Sequence, residues 1–208
     1  MQDQTDDRTL ITRIADQDQV ALRALLGRHQ LRVYRFVLRI VRREAVAEEV
    51  TNEVFLEAWR NAASYEARSS VGTWLLSIAH NRAVSVLRRR REEAIDDDAA
   101  GAIADDGDNP EVVTQKLDKA AQMRRCIAEL SVEHRTIIDL VYYHEKSINE
   151  VSEILGIPLN TVKTRMFYAR KKLSELLAAA GIDRGWPRAE PTNDFPSARR
   201  SRCSSRGT

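Results

Sequence analysis

Apolar residues recur at intervals of three and four along this chain, and its first hundred residues contain no β-strand-like alternation of any length. Such spacing places apolar side chains on one face of an α-helix. Between residues 18 and 43 the pattern is carried by Leu22, Leu25, Leu26, Val33, Phe36, Val37 and Ile40. The sequence therefore predicts an all-α protein whose amphipathic helices bury their apolar faces against one another.

The same periodicity predicts two groups of helices. The first group comprises a short helix near 10–15 and longer helices over 18–43, 45–62 and 71–91, with a loop at 65–70. The second comprises helices over 117–130, from Ser131, from Ser147 to Gly156 and from Pro158 to Ala180. We expect two small helical domains, at 8–92 and 116–180, joined by a flexible acidic linker at 93–115 and followed by a disordered tail at 181–208.

The linker prediction rests on charge. Residues 92–111 carry nine acidic side chains and no Lys or Arg. Such a segment cannot bury enough apolar surface to offset the entropy of ordering. It is either a solvated spacer or an acidic strand that imitates nucleic acid in a basic groove.

Overall composition points to no particular partner, because the formal net charge of the 208 residues is only +2. The two cysteines, Cys126 and Cys203, lie far apart and form neither a disulfide framework nor a metal-ligand pattern. The acidic start, MQDQTDDRTL, does not resemble a signal peptide. No apolar run approaches the about 20 residues of a membrane span. We therefore expect a cytoplasmic protein without membrane insertion.

A helix-turn-helix pattern occupies residues 147–173. Ser147 and Glu150 have the S-x-x-E spacing of a capping box, Gly156 ends that helix, and Pro158 lies near the start of the next. In a DNA-binding helix-turn-helix the second helix enters the major groove. Its predicted outward residues in the N-terminal half are Thr161, Lys163, Thr164, Phe167 and Tyr168.

These residue types suit DNA. Lys and Thr can bond to base edges, and an aromatic edge can meet a thymine methyl group. Phosphates would be held by Arg165, Arg170, Lys171 and Lys172. An ordinary helix pair with a solvated basic face is the first alternative. A membrane-surface helix is the second, although its apolar face is narrow and is needed by the preceding helix.

The first helical group has polar signals of its own. Arginines crowd the helix at 18–43, and Arg88 to Arg91 close the helix at 71–91. Positive side chains near the C-terminal end of a helix also stabilise the helix dipole, so each run is only modest evidence of nucleic-acid binding. The loop that begins at Tyr65 offers an aromatic side chain among small polar residues, which is a setting for an unstacked base.

No catalytic or metal-ligand pattern is present in the sequence. The four histidines are His29, His80, His134 and His144, and none has Cys or carboxylate neighbours at ligand spacing. Sequence motifs for a phosphate-binding glycine loop, a nucleophile elbow or a zinc protease are missing. We therefore predict no catalytic residues, no metal and no cofactor.

Three segments in order resemble the bacterial RNA polymerase sigma factors of the extracytoplasmic-function (ECF) group. AEEVTNEVFLEAW (47–59) resembles the helix that binds core polymerase, and YEARSSVGTWLLSIAHNRAVSVLRRRR (65–91) resembles the −10 melting and recognition segment. ILGIPLNTVKTRMFYARKKL (154–173) resembles the −35 helix-turn-helix. The resemblance covers roughly residues 10–177.

The resemblance implies roles for individual residues. Core polymerase would meet Glu48, Glu49, Asn52 and Glu53. The −10 element would be held by the loop Tyr65, Glu66, Ala67, Arg68, Ser69 and Ser70, with Asn81, Arg82 and Arg88. The −35 element would be read by Thr161, Lys163, Thr164, Arg165, Phe167, Tyr168 and Arg170. It also implies a linker in the RNA exit region and an anti-sigma factor as a further partner.

The chain departs from the family pattern at four positions. Val46 and Asn52 stand where Asp and Gln are usual, Glu145 where Gly is common, and Tyr168 where a basic residue is frequent. The expected molecule is a sigma factor that is monomeric when free. The main alternative is a stand-alone helix-turn-helix regulator of duplex DNA, which would usually dimerise because palindromic sites mirror a two-fold axis.

Overall fold

The structure is a computed structural model that describes residues 6–96 and 115–182. Within these ranges it contains α-helices, one short 3-10 helix at Ala62–Ser64 and no β-strand, which confirms the all-α prediction. The helices are α1 (Asp7–Ala15), α2 (Gln19–Val41), α3 (Glu44–Asn61), α4 (Val71–Asp96), α5 (Gln115–Ala128), α6 (Val132–Tyr142), α7 (Ile148–Leu155) and α8 (Leu159–Ala179).

Helices α2, α3 and α4 pack against one another, and α1 covers them. The carboxylate of Asp18 caps α2 by accepting hydrogen bonds from the backbone N–H groups of Val20 and Ala21. Arg42, with φ of 57°, ends the helix in the left-handed conformation. The predicted apolar faces form the core, in which Phe36 and Leu75 are fully buried.

Helices α5 to α8 form the second group. The predicted caps are present: the Ser131 hydroxyl accepts from the backbone N–H of His134, and Ser147 and Glu150 form a reciprocal capping box. Gly156 ends α7 at φ of 63°, a left-handed conformation that glycine adopts without strain. On α8 the predicted apolar face is buried throughout, at Val162, Met166, Ala169 and Leu173.

Helix α4 is longer than expected. It continues to Asp96, beyond the predicted helix end at residue 91 and into the segment expected to be linker. Arg, Glu and Ala all favour helix, and Arg88 lies 3.6 Å from Glu92 at i, i+4 spacing. The remainder of the predicted linker and nearly all of the predicted tail lie outside the described residues.

The two helical groups also pack against each other, which the sequence did not predict. Helix α7 lies on α4, and α6 lies on α2. Part of this contact is polar: the Arg135 guanidinium donates from Nε to the backbone carbonyl of Arg39 at 2.8 Å. The modules therefore share one closed arrangement within the described part of the chain.

His144 lies at the centre of this contact and is almost completely buried. Its Nε2 is 3.2 Å from Asp139, and Arg32 Nε donates to its Nδ1 at 3.1 Å. Burial, together with the positive charges of Arg32, Arg39 and Lys146, lowers the pKa of His144 to about 4. The imidazole is therefore neutral at pH 7.

We expect stability to decrease at mildly acidic pH. His144 protonates near pH 6.5 in the unfolded chain and near pH 4 in the folded one, so its contribution is complete above pH 6.5 and is lost as pH falls toward 4. The loss is at most about 3 kcal/mol. Urea unfolding of the wild type and of His144→Gln between pH 7.5 and 4 measures it, because carboxylate titration common to both cancels in the difference.

The pH dependence of His144→Gln should be flatter than that of the wild type. Equal slopes for the wild type and His144→Gln would contradict the assignment.

Candidate nucleic-acid interface

Four of the side chains predicted to contact DNA are exposed in the N-terminal half of α8. Lys163 and Thr164 are exposed, as are Phe167 at 42% and Tyr168 at 53%. The two aromatic rings meet edge to face, with centroids 5.4 Å apart. Because the rings of Phe167 and Tyr168 are exposed, they do not contribute to the hydrophobic core. Their surface fits contact with a groove that offers both polar edges and methyl groups.

The other three predicted residues of α8 are less accessible. Thr161 is half-buried. Arg165 lies 3.4 Å from the Glu133 carboxylate, and the Arg170 guanidinium lies 5.7 Å from the centre of the Tyr142 ring. These contacts hold the two guanidinium groups beside the helix. Four of the seven residues predicted to read the −35 element are therefore exposed, and the other three are half-buried.

The predicted polymerase-binding edge lies on α3. Glu48, Glu49 and Asn52 are exposed, and the side chain of Glu53 is 44% accessible and 3.9 Å from Arg82. Beside this edge, α2 and α3 enclose an open groove of about 510 Å³. It is lined by Gln30, Leu31, Tyr34, Glu48, Thr51 and Asn52.

Sequence reasoning missed the α2 wall of this groove. Leu31 is 60% exposed because it lies out of phase with the buried face of α2. An apolar residue outside the helical repeat was the available signal. Burial and the nearby Glu44 and Glu48 carboxylates raise the pKa of Tyr34, so its hydroxyl remains a hydrogen-bond donor. The groove thus combines acidic, apolar and donor groups.

The predicted −10 loop forms a tight turn between the 3-10 helix and α4. The Tyr65 hydroxyl donates to the carbonyl of Ser69 at 2.5 Å, and its ring lies 5.1 Å from that of Trp74. Ala67 adopts a φ of 54°, which turns the chain sharply. Tyr65 and Ser69 are half-buried, whereas the other four loop residues are exposed. Glu66 and Arg68 form an exposed ion pair at the tip.

Further along α4, Asn81, Arg82 and Arg88 are exposed. Arg82 Nε donates to Glu57 at 2.6 Å and therefore joins α4 to α3. The structure thus connects the predicted −10 surface with the predicted polymerase edge through one guanidinium group.

Most arginines of α2, and Arg42 at its end, contact other parts of the chain. Arg28 pairs with Asp7 at 2.8 Å, Arg32 with His144, and Arg39 with Asp139, while Arg42 donates to the carbonyl of Ala128. The modest nucleic-acid signal read from this row in the sequence therefore has an intramolecular explanation.

Two of the departures from the family pattern also have structural readings. Glu145 has a φ of 52° in the turn before the capping box, a left-handed conformation that costs a residue with a side chain roughly 1–2 kcal/mol. This explains why glycine suits the position. Val46 is buried in the hydrophobic core at the start of α3, so the Asp that is usual in the family would have apolar surroundings at this position.

Within residues 6–96 and 115–182, no cluster of three or more His, Cys, Asp or Glu side chains is placed to hold a metal ion. None of the helices in the described part of the chain is long and apolar enough to cross a membrane.

Comparison with known families matches both helical groups. Sigma-70 region 2 matches residues 25–93, and the Sigma-70 region 4 family matches residues 120–173. The first match contains the α3 edge, the −10 loop and Asn81. The second contains the helix-turn-helix.

Similar proteins include ECF RNA polymerase sigma factors called SigK. SigK of Mycobacterium tuberculosis (strain CDC 1551 / Oshkosh) is 36% identical over 173 residues, which cover 81% of this chain and 91% of the relative. SigK of Mycolicibacterium vanbaalenii is 32% identical over 176 residues, covering 82% and 89%. The solved structure of RpoE with the anti-sigma factor NepR from Bartonella quintana has a TM-score of 0.64 at 24% identity, covering 75% of this chain and 96% of that one.

CnrH, solved in complex with the cytosolic domain of CnrY, has a TM-score of 0.61 at 24% identity and covers 83% of this chain and 97% of that one. These structural likenesses support the fold. The sequence relatives decide the family. The chain belongs to the ECF RNA polymerase sigma factors, which are transcription initiation factors that bind core polymerase and promoter DNA.

Proposed function

We propose that this chain directs core RNA polymerase to promoters with a −35 and a −10 element and nucleates DNA melting at the second. The observation that carries the proposal is the exposed Lys163, Thr164, Phe167 and Tyr168 face on a chain that also presents an acidic edge on α3. The chain supplies no chemistry of its own in this scheme; polymerase supplies the catalysis. It acts in the cytoplasm.

At the −35 element, Lys163 and Thr164 bond to base edges and the two aromatic rings meet thymine methyl groups. Arg165 and Arg170 contact phosphates after rotating away from Glu133 and Tyr142. Thr161 contributes from the start of the helix. Tyr168 replaces a basic residue frequent in the family, so fewer phosphate contacts and a different base preference follow at that position.

At the −10 element, the turn from Tyr65 to Ser70 captures a base that leaves the non-template strand. The half-buried Tyr65 ring supports the turn, and Ser69 and the exposed tip residues face the base. Asn81 contacts a second base, while Arg82 and Arg88 lie along the strand. Capturing an unstacked base offsets the few kcal/mol that unpairing costs, so melting needs no ATP.

The acidic edge of Glu48, Glu49, Asn52 and Glu53 meets a basic coiled coil of the polymerase. Leu31 and the α2–α3 groove extend this surface with an apolar contact, which the exposure of Leu31 supports. A polar rim around an apolar centre is the usual composition of a protein interface.

Regulation is proposed by analogy with a neighbour. RpoE of Bartonella quintana is described in complex with the anti-sigma factor NepR. We propose that an anti-sigma factor also holds this chain inactive and that the released chain is a monomer. Sedimentation of the purified protein tests the second point, because a stand-alone regulator would sediment as a dimer.

Transcription by sigma-free core polymerase, with and without this chain, on sheared genomic DNA of the source organism tests the function directly. Discrete new 5′ ends behind a shared pair of upstream motifs are expected. Core binding without new start sites would instead indicate a protein that only occupies polymerase. A chain that neither binds core polymerase nor produces new start sites would favour a stand-alone regulator.

Replacing Lys163 or Tyr168 by alanine is expected to weaken promoter choice and leave core binding intact. Each loses a groove contact worth about 1–3 kcal/mol, or roughly 5- to 150-fold in transcription from a promoter with an intact −35 element. Glu175→Ala is the matched control, since Glu175 is exposed two turns beyond Tyr168 on the same helix and has no predicted DNA contact. Equal loss of core binding by Lys163→Ala and Tyr168→Ala would contradict these roles.

A further inference from the structure

Asn160 is an exposed side chain at the start of the second helix of the helix-turn-helix, and the residues predicted to read the −35 element do not include it. It is the second residue of α8, which begins at Leu159. When a helix-turn-helix binds DNA, the N-terminal residues of its second helix contact the base edges. The position of Asn160 in the fold is therefore that of a base-contacting residue.

Asn160 also lies on the outward face of α8. At 3.6 residues per turn, consecutive side chains are about 100° apart around the helix axis. Viewed along that axis, Asn160 falls between Lys163 and Thr164, and about 20° from Phe167. The buried side of α8, which includes Met166, is turned away from it. Asn160 is thus in the middle of the face that is proposed to enter the major groove.

The amide of Asn160 has no structural partner in the described part of the chain. Pro158 is the N-cap of α8, and no side-chain hydrogen bond caps the helix there. Among the side-chain hydrogen bonds of residues 6–96 and 115–182, Asn160 takes part only through its backbone carbonyl, which accepts from the Thr164 hydroxyl at 2.9 Å. Since Asn is also one of the weaker helix formers, helix stability does not explain its presence in the first turn.

The bond from Thr164 to the Asn160 carbonyl divides the chemistry of this face. The Thr164 hydroxyl has one proton and donates it to the carbonyl, so toward DNA this side chain offers an acceptor and a methyl group. Lys163 is the opposite case, because its ammonium group can only donate. Asn160 lies between them and combines both functions: its amide nitrogen donates and its amide oxygen accepts.

The complement of this amide is a base edge that offers an acceptor beside a donor. In the major groove adenine has this pattern, with N7 as the acceptor and the N6 amino group as the donor. Guanine presents two acceptors there, cytosine a donor, and thymine an acceptor. An Asn amide can therefore form two hydrogen bonds with one adenine, which neither Lys163 nor Thr164 can do in this arrangement.

We propose that Asn160 is a further specificity-determining residue of this chain, and that it selects one adenine of the −35 element through a two-bond contact in the major groove. This role rests on the proposed function, because it requires α8 to lie in the groove of a −35 element. It assigns the chemical identity of one base in that element.

The test is transcription by core polymerase with the full chain on a set of promoters. The parent promoter is one recovered by the mapping of 5′ ends, and each base pair of its −35 element is changed in turn to the other three. The chains compared are the wild type, Asn160→Ala, Asn160→Asp and Asn149→Ala. The last is the matched control, because Asn149 is an exposed asparagine and the second residue of α7, the other helix of the motif.

At one position of the −35 element, the wild type and Asn149→Ala should prefer adenine on one strand by about tenfold or more over the other bases. Asn160→Ala should lose that preference and keep the preferences at the other positions. Asn160→Asp has nearly the same shape, but its carboxylate only accepts, so the preferred base at that position should change from adenine to cytosine. Both variants should fold normally, because residue 160 is exposed.

A modified base checks the contact at a single atom. Replacing the selected adenine by 7-deazaadenine removes the N7 acceptor and leaves the base-pairing edge unchanged. Transcription by the wild type should fall by roughly fivefold, as expected for the loss of one hydrogen bond. Asn160→Ala should respond equally to both bases.

Three results would overturn the role of Asn160. The wild type could show no adenine-selective position, Asn160→Ala could keep every preference of the wild type, or Asn160→Ala could weaken all promoters of the set by the same factor. If the chain initiates transcription and Lys163→Ala impairs it, any of these results leaves the proposed function standing and removes only the adenine contact. A chain that starts no transcripts on any promoter would refute the proposed function and, with it, the contact that depends on it.

Discussion

Replacing Glu48 and Glu49 together by lysine is expected to weaken binding to core polymerase by about 100-fold, or about 2.7 kcal/mol. Both side chains are exposed on α3, where they contribute little to the fold. The proposed partner surface is basic, so each substitution turns an attraction into a repulsion. Transcription should fall in parallel at every promoter, because the defect precedes DNA recognition.

Titration of core polymerase with a fluorescently labelled chain measures the effect. The matched control is Glu129→Lys/Glu175→Lys, which makes the same change in net charge at exposed positions of the second module. The control should bind core normally. If both double variants bind equally well or equally poorly, the α3 edge is not the polymerase contact.

Leu31 refines this test, because it separates charge from shape. Leu31→Ala removes exposed apolar surface beside Glu48 without changing any charge. A binding defect that persists at high salt is expected for Leu31→Ala, whereas the salt dependence of Glu48→Lys/Glu49→Lys should differ strongly from that of the wild type.

Replacing Tyr65 and Asn81 by alanine is expected to abolish most open-complex formation and leave closed-complex binding largely intact. Losing a base contact or a stacking surface costs about 1–3 kcal/mol at each site. Together the changes should reduce opening by roughly 100-fold or more. Fluorescence of 2-aminopurine placed in the −10 element reports the unpaired strand directly.

A promoter with a mismatched, already open −10 segment provides the control within the same variant. If Tyr65 and Asn81 act by compensating the cost of unpairing, the open template should restore much of the lost transcription. Tyr65→Phe keeps the ring against Trp74 and removes only the hydroxyl that holds the Ser69 carbonyl. It should therefore show a smaller defect than Tyr65→Ala. An equal defect on paired and open templates would argue against a melting role.

Local sequence patterns predicted most of the secondary structure. The capping box at Ser147 and Glu150, the helix end at Gly156 and the buried stripe on α8 depend on residues three or four apart, and all were confirmed. The end of α4 was misjudged, because good helix-forming residues extend the helix into a segment whose charge suggested a linker. The roles of the individual promoter and polymerase residues remain predictions.

The sequence by itself determined the helices, the two modules and their order. Helical periodicity and helix caps depend on residues close together in the sequence, so they can be recognised without the tertiary structure. The closed arrangement was decided only in the tertiary structure. Arg32 and His144 are 112 residues apart, and Thr73 and Glu150 are 77 apart. Nothing local distinguishes an arginine that binds a distant histidine from one that faces phosphate. Whether these residues come into contact depends on how the helices pack. That packing places arginines that the sequence suggested as a nucleic-acid surface in an internal contact.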